Sequence, residues 1–122
     1  MRRLLLGGFL LCATLSLPAA AQEWEARQTA ELQALDKVTA RVSVFRATVG
    51  QPAQFGTLTI TVRSCDARPP DEVPDAAAWM EISDKRGTEP ATEVFRGWMF
   101  ASAPGVHTLE HPVYDIRVLA CR

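Results

Sequence analysis

The run Phe55-Gly56-Thr57-Leu58-Thr59-Ile60-Thr61-Val62-Arg63 alternates apolar and polar side chains strictly. Successive side chains of a β-strand point to opposite faces, so this period of two buries Leu58, Ile60 and Val62 and exposes three threonines. Similar runs recur along the chain. Arg41 to Arg46 alternates with Val42 and Val44 on one face, and Ala78 to Ser83 sets Met80 and Ile82 against Trp79. Glu93 to Phe100 sets Phe95 and Met99 against Trp98 and Phe100. Val113 to Cys121 sets Tyr114, Ile116 and Val118 against Asp115 and Arg117.

Chain breakers separate these runs. Val49-Gly50-Gln51-Pro52 and Asp84-Lys85-Arg86-Gly87 read as turns, and Ser102-Ala103-Pro104-Gly105 interrupts the chain again. Pro69, Pro70 and Pro74 make Asp66 to Asp75 an exposed loop, because proline removes ladder donors. The Glu93–Phe100 run is apolar on both faces near its end, which predicts a central strand covered twice. Residues 22–37 are the exception. Leu32, Leu35 and Val38 fall on a helical stripe and predict a short N-terminal helix or tether. The prediction is therefore all-β: a small antiparallel sandwich or barrel of five to seven strands over residues 38–122, after that short helix. Side chains fill an interior of this size and leave little room for a deep pocket, which argues against a typical enzyme.

The remaining arithmetic narrows the class. With 122 residues the chain makes one domain, and 48% hydrophobic with 22% charged residues excludes wholesale disorder. A net charge of −1 with no lysine-rich run excludes a typical nucleic-acid module. The N-terminus reads as an address over residues 1–21. Met1-Arg2-Arg3 is basic, Leu4 to Leu17 is apolar, and Pro18-Ala19-Ala20-Ala21 predicts cleavage before Gln22. A spanning helix needs about 20 apolar residues, so a retained anchor is the less favoured reading. Leu11 stands where lipidation at Cys12 would need a small residue, and the flanks of a twin-arginine signal are missing. The prediction is export to the periplasm with no membrane span after cleavage.

Cleavage removes Cys12 and leaves Cys65 and Cys121 in an oxidising compartment. Two cysteines in a small exported domain read as a disulfide. The alternative, a reactive thiol, lacks C-x-x-C spacing. Closing so long a loop restricts the unfolded chain by roughly 4 kcal/mol in the chain-entropy picture.

Leu35-Asp36-Lys37-Val38-Thr39, Phe55-Gly56-Thr57-Leu58, Gly97-Trp98-Met99-Phe100-Ala101-Ser102 and Leu109-Glu110-His111-Pro112-Val113-Tyr114-Asp115 carry a resemblance. Over residues 35–121 the chain resembles the family catalogued as domain of unknown function 2155. The resemblance implies an exported envelope protein of Gram-negative bacteria and brings no activity or catalytic residue. It also implies a protein partner in the envelope, such as an inner-membrane complex of the respiratory complex I kind, of which this chain would be an accessory component.

His107-Thr108-Leu109-Glu110-His111 fits H-x-x-E-H, which on a helix would hold zinc beside a general base. Pro112 directly after His111 opposes a helix, and the favoured reading is a strand-entry turn in which Glu110 and His111 bond locally. Ser102, His111 and Asp115 could make a nucleophilic triad, but Ser102 lacks the glycines of a nucleophile elbow. Asp71, Glu72 and Asp75 could bind calcium, but lack the spacing and glycine of a calcium loop. No metal or other cofactor is called for. Ser102, Glu110, His111 and Asp115 remain a polar cluster to be placed.

Trp79, Arg96, Trp98, Phe100 and Tyr114 are the candidate partner surface. Tryptophan and tyrosine dominate docking energies, stack on sugar rings, or simply fill a core. Arg96, on the Trp98 face by parity, argues that this face is open. The reading reached is a non-catalytic periplasmic β-domain that docks on a protein partner. The alternatives are an envelope glycan-binding module using surface aromatics and a small metal-dependent or serine hydrolase.

Overall fold

A computed structural model describes residues 7–15 and 23–122. The basic start and the cleavage sequence expected of a leader lie outside the described residues. Residues 7–15 form neither helix nor strand, and no helix among the described residues is long and apolar enough to cross a membrane.

The described chain is all-β, with strands β1 (Glu25–Ala26), β2 (Thr29–Asp36), β3 (Arg41–Thr48), β4 (Pro52–Phe55), β5 (Leu58–Ala67), β6 (Ala76–Asp84), β7 (Thr92–Phe100) and β8 (Tyr114–Cys121). They build two antiparallel sheets. One has the order β1-β5-β6-β7, with β4 also on β5; the other has the order β3-β2-β8. Inward side chains of both sheets form one core, in which Leu32, Leu58, Ile60, Met80 and Ile82 are fully buried. Burying an aliphatic side chain of this size stabilises the fold by about 1.5–3 kcal/mol.

The five alternating runs are all strands, with three corrections. First, no N-terminal helix forms over residues 23–36; β1 and β2 occupy that stretch. Ala30, Leu32 and Ala34 are buried at a period of two, whereas Val38 is 76% exposed in the following turn. Alanines at two of the three inward positions concealed the alternation. Second, the Phe55–Arg63 run belongs to β5 only from Leu58 onward: Gly56 takes φ +57° and Thr57 completes the hairpin turn between β4 and β5. Third, β7 lies at a sheet edge with its outer face open, so its double apolar character does not reflect double burial.

Two β-bulges decide where the cysteines point. Strict alternation from Leu58 would turn Ser64 inward and Cys65 outward. The register between β5 and β6 shifts between Val62 and Ser64, so Cys65 stands opposite Ala78 and points into the core. A matching shift between β2 and β8 leaves Val118 opposite Leu32 but Ala120 opposite Glu31, which turns Cys121 inward. One extra residue inverts the faces beyond it. The two cysteines thus meet across the sandwich as a disulfide-compatible pair, their Cα atoms 5.5 Å apart.

Candidate functional site

Sequence reasoning pointed to two places, the polar motif ending at His111 and the aromatics of β6 and β7. The first closes one end of the sandwich. His111 is buried, with its side chain 3% exposed. Its Nδ1 accepts the backbone N–H groups of Val113 at 3.0 Å and Tyr114 at 3.1 Å. That assigns the ring hydrogen to Nε2, which donates to Asp84 Oδ2 at 2.8 Å. Arg86 Nε donates to the same oxygen at 2.9 Å, and Thr57 Oγ1 donates to Oδ1. Arg86 Nη2 lies 3.1 Å from His111 Nε2, a contact between two donors that share one carboxylate.

The chain places these groups by register. Asp84 ends β6 opposite Leu58, so its carboxylate reaches the Gly56-Thr57 corner. Tyr114 begins β8, with its ring stacked on His111 at 5.2 Å and edge-on to Phe55 at 5.5 Å. A Cβ on Gly56 would collide with the Tyr114 hydroxyl, so the corner needs both the left-handed backbone and the absent side chain. Lys37 Nζ donates to the His111 carbonyl at 2.8 Å and ties in the β2–β3 turn. Burial by itself would raise the Asp84 pKa; the hydrogen bonds from His111, Thr57 and Arg86 overcome it and lower the carboxyl from 3.8 to about 2.

An aspartate orienting a histidine supplies two of the three members of a hydrolytic triad. In a triad the far ring nitrogen must be free to take a proton from a nucleophile. Here two backbone N–H groups occupy it.

The other polar candidates are dispersed. Ser102 donates its hydroxyl to Asp75 Oδ2 at 2.8 Å, and its N–H goes to Asp75 Oδ1 at 3.0 Å. Glu110 is exposed, and Asp115 sits on β8 opposite Leu35. No hydrogen bond among the described residues joins Ser102, Glu110, His111 and Asp115. The local bonding expected at His111 occurs, without Glu110. His107 and His111 do not face each other on a helix. His107 Nδ1 lies 3.1 Å from the Trp98 carbonyl oxygen, with its ring over Phe95. Its imidazole fills the space a side chain at Gly97 would need. Among the described residues no group of three or more His, Cys, Asp or Glu is arranged to hold a metal.

The aromatic candidates separate into two sets. Trp79 and Trp98 are cross-strand partners on the outer face, packed edge-to-face at 5.9 Å, and Trp98 is 37% exposed. Phe100, half-buried, stands beside them opposite Ala77, and Arg96 is paired with Glu93 at 3.0 Å and Glu81 at 3.7 Å. Tyr114 is on the other sheet and belongs to the His111 end. A shallow groove of about 390 Å³ runs between the Arg68–Asp75 loop, Ser102 and the end of β8. Arg68 lines it with its guanidinium 3.9 Å from the Trp24 ring centre.

Sequence reasoning missed Thr57, Asp84 and Arg86. Asp84 and Arg86 were legible only as turn residues, and Thr57 as an exposed strand threonine within a motif, with no partner assigned to it. Gly56-Thr57 and Gly97 through Ser102 did stand out as motif residues, and both now have a structural reason.

The family model described as "uncharacterized protein conserved in bacteria (DUF2155)" matches residues 30–121. An uncharacterized protein of Rickettsia prowazekii (strain Madrid E) is 31% identical over 88 residues, covering 72% of this chain and 57% of that protein. The chain thus spans little more than half the length of that relative. No solved structure matches the chain. The motifs at Phe55, Gly97 and Leu109 and the match over residues 30–121 agree: the chain belongs to the DUF2155 family of bacterial proteins.

Proposed function

We propose that this protein is a non-catalytic, periplasmic β-domain that docks on a protein partner of the cell envelope through the outer face of β6 and β7. The observation that carries this reading is the outward Trp79–Trp98 pair with Phe100 beside it. Partly exposed tryptophans supply large rigid contact area at an interface, and burying them against water stabilises a complex more than most side chains do. Arg96, already matched by Glu93 and Glu81, borders the patch as a polar rim. The occupied Nδ1 of His111 supports the non-catalytic part. An inner-membrane complex, such as respiratory complex I, is the partner class that the family resemblance suggests.

The test is retention of a partner by the exported protein taken from native membranes. The wild-type protein should co-purify with one stoichiometric partner. The Trp98→Glu protein should lose it while keeping its thermal stability to within about 1 kcal/mol, the size of an aromatic pair beyond its buried area. Recovery of wild-type protein as a lone monomer would overturn the docking reading. Quenching or enhancement of tryptophan fluorescence by peptidoglycan fragments would favour a glycan-binding module instead.

A further inference from the structure

The opposite sheet carries a different feature, and its test does not depend on the aromatic face. A strand at a sheet edge presents unpaired N–H and C=O groups, and natural sheets blunt such edges with short strands, bulges or covering loops. Most edges here are blunted. Strands β1 and β4 have two and four residues. Strand β7 is bulged between its pairings with Ile82 and Ser83, and His107 is set on its Trp98 carbonyl. Strand β8 carries the bulge that turns Cys121. Strand β3 has none of these protections. It runs eight residues in unbroken register with β2. Among the described residues, no backbone hydrogen bond outside that ladder and no side-chain hydrogen bond involves residues 41–46.

The side chains of β3 specify what the edge would accept. Val42 and Val44 point away from the core and are 54% and 58% exposed. Arg41 and Arg46 stand at either end of this pair without an acidic partner among the described residues. Each faces an acid across the ladder, Asp36 opposite Arg41 and Glu31 opposite Arg46. Both acids are engaged elsewhere. Asp36 Oδ1 accepts the N–H groups of Val38 and Thr39, and Glu31 Oε2 accepts from Arg122 Nε at 3.1 Å. The edge therefore offers two valines between two unmatched positive charges.

We propose that the free edge of β3 is a docking strand for an extended, acidic segment of a partner protein, which adds as a fourth strand beside β3. Main-chain hydrogen bonds would supply affinity, and alternate side chains specificity, as in other strand additions. An antiparallel segment would place an acid opposite Arg46, apolar residues opposite Val44 and Val42, and a second acid opposite Arg41. It would read acidic-x-apolar-x-apolar-acidic from its N-terminal end.

The test uses the exported protein and the blocked peptide Thr-Glu-Thr-Ile-Thr-Ile-Glu-Thr, with a control carrying lysine for both glutamates. Addition of the acidic peptide should slow amide hydrogen exchange within residues 41–46. Its binding should weaken as salt rises, because the charges lie at the surface. Arg46→Glu should weaken it at least tenfold while improving the lysine control, with unchanged thermal stability. Equal binding of both peptides, or no protection of residues 41–46, would overturn the proposal. Protection that grows with protein concentration and without peptide would also overturn it, because the occupant would then be a second copy of this chain.

Discussion

At one end of the sandwich Cys65 of β5 meets Cys121 of β8; at the other, where β5 begins at Leu58 and β8 at Tyr114, the joint is Asp84 with its three donors. Both joints tie the two sheets, by different physics. A covalent link acts mainly by restricting the unfolded chain and is indifferent to proton concentration. The polar joint acts in the folded state and depends on Asp84 remaining ionised. Its stabilisation is the excess of three hydrogen bonds over the cost of burying a carboxylate. The lesson is that a residue set resembling catalytic machinery can act as closure: the Nδ1 lone pair that a general base would use is taken by two backbone N–H groups.

Three experiments would break or sharpen this contrast. Replacing both Cys65 and Cys121 by serine should cost the most, roughly 4 kcal/mol in a denaturant titration, and by the same amount across the pH range, because neither the disulfide nor the serines titrate. His111→Ala comes next, at about 3 kcal/mol, because it leaves a buried carboxylate short of a donor and two backbone N–H groups without an acceptor. The smallest effect is acid dependence. The folded pKa of Asp84, about 2, lies below its ordinary 3.8. Its stabilisation is therefore complete above about pH 4 and is lost as the pH falls from there through 2, roughly 2 kcal/mol in all. Thermal denaturation across that window should show the loss in the wild type and a flatter profile in Asp84→Asn. An Asp84→Asn profile as steep as the wild type would assign the acid sensitivity to other groups.

The strand plan was legible because alternation is local. Leu58, Ile60, Val62, Met80 and Ile82 each declare a face by their neighbours, and all five are buried. The cysteine pairing was legible by count once the expected leader was set aside, although the bulges that make it possible left no mark in the sequence. Strand β2 was missed because Ala30 and Ala34 do not stand out from a mixed background. The polar joint was missed because its members are far apart in the chain. Thr57 and His111 each lie 27 positions from Asp84; the register of β5 on β6 brings Thr57 to it, and the packing of the two sheets brings His111. The double apolar character of β7 misled for another reason: Trp98 faces outward, and apolar composition cannot tell a covered face from an open one.

The central claim is that His111 is a structural fastening whose Nδ1 is closed to chemistry. Nitrogen NMR of the imidazole in the purified protein tests it directly. The account predicts hydrogen on Nε2, a bare Nδ1 coupled through hydrogen bonds to the amides of Val113 and Tyr114, and slow exchange of those two amides. Hydrogen on Nδ1, or rapid exchange at both amides, would contradict it and reopen the histidine as a base.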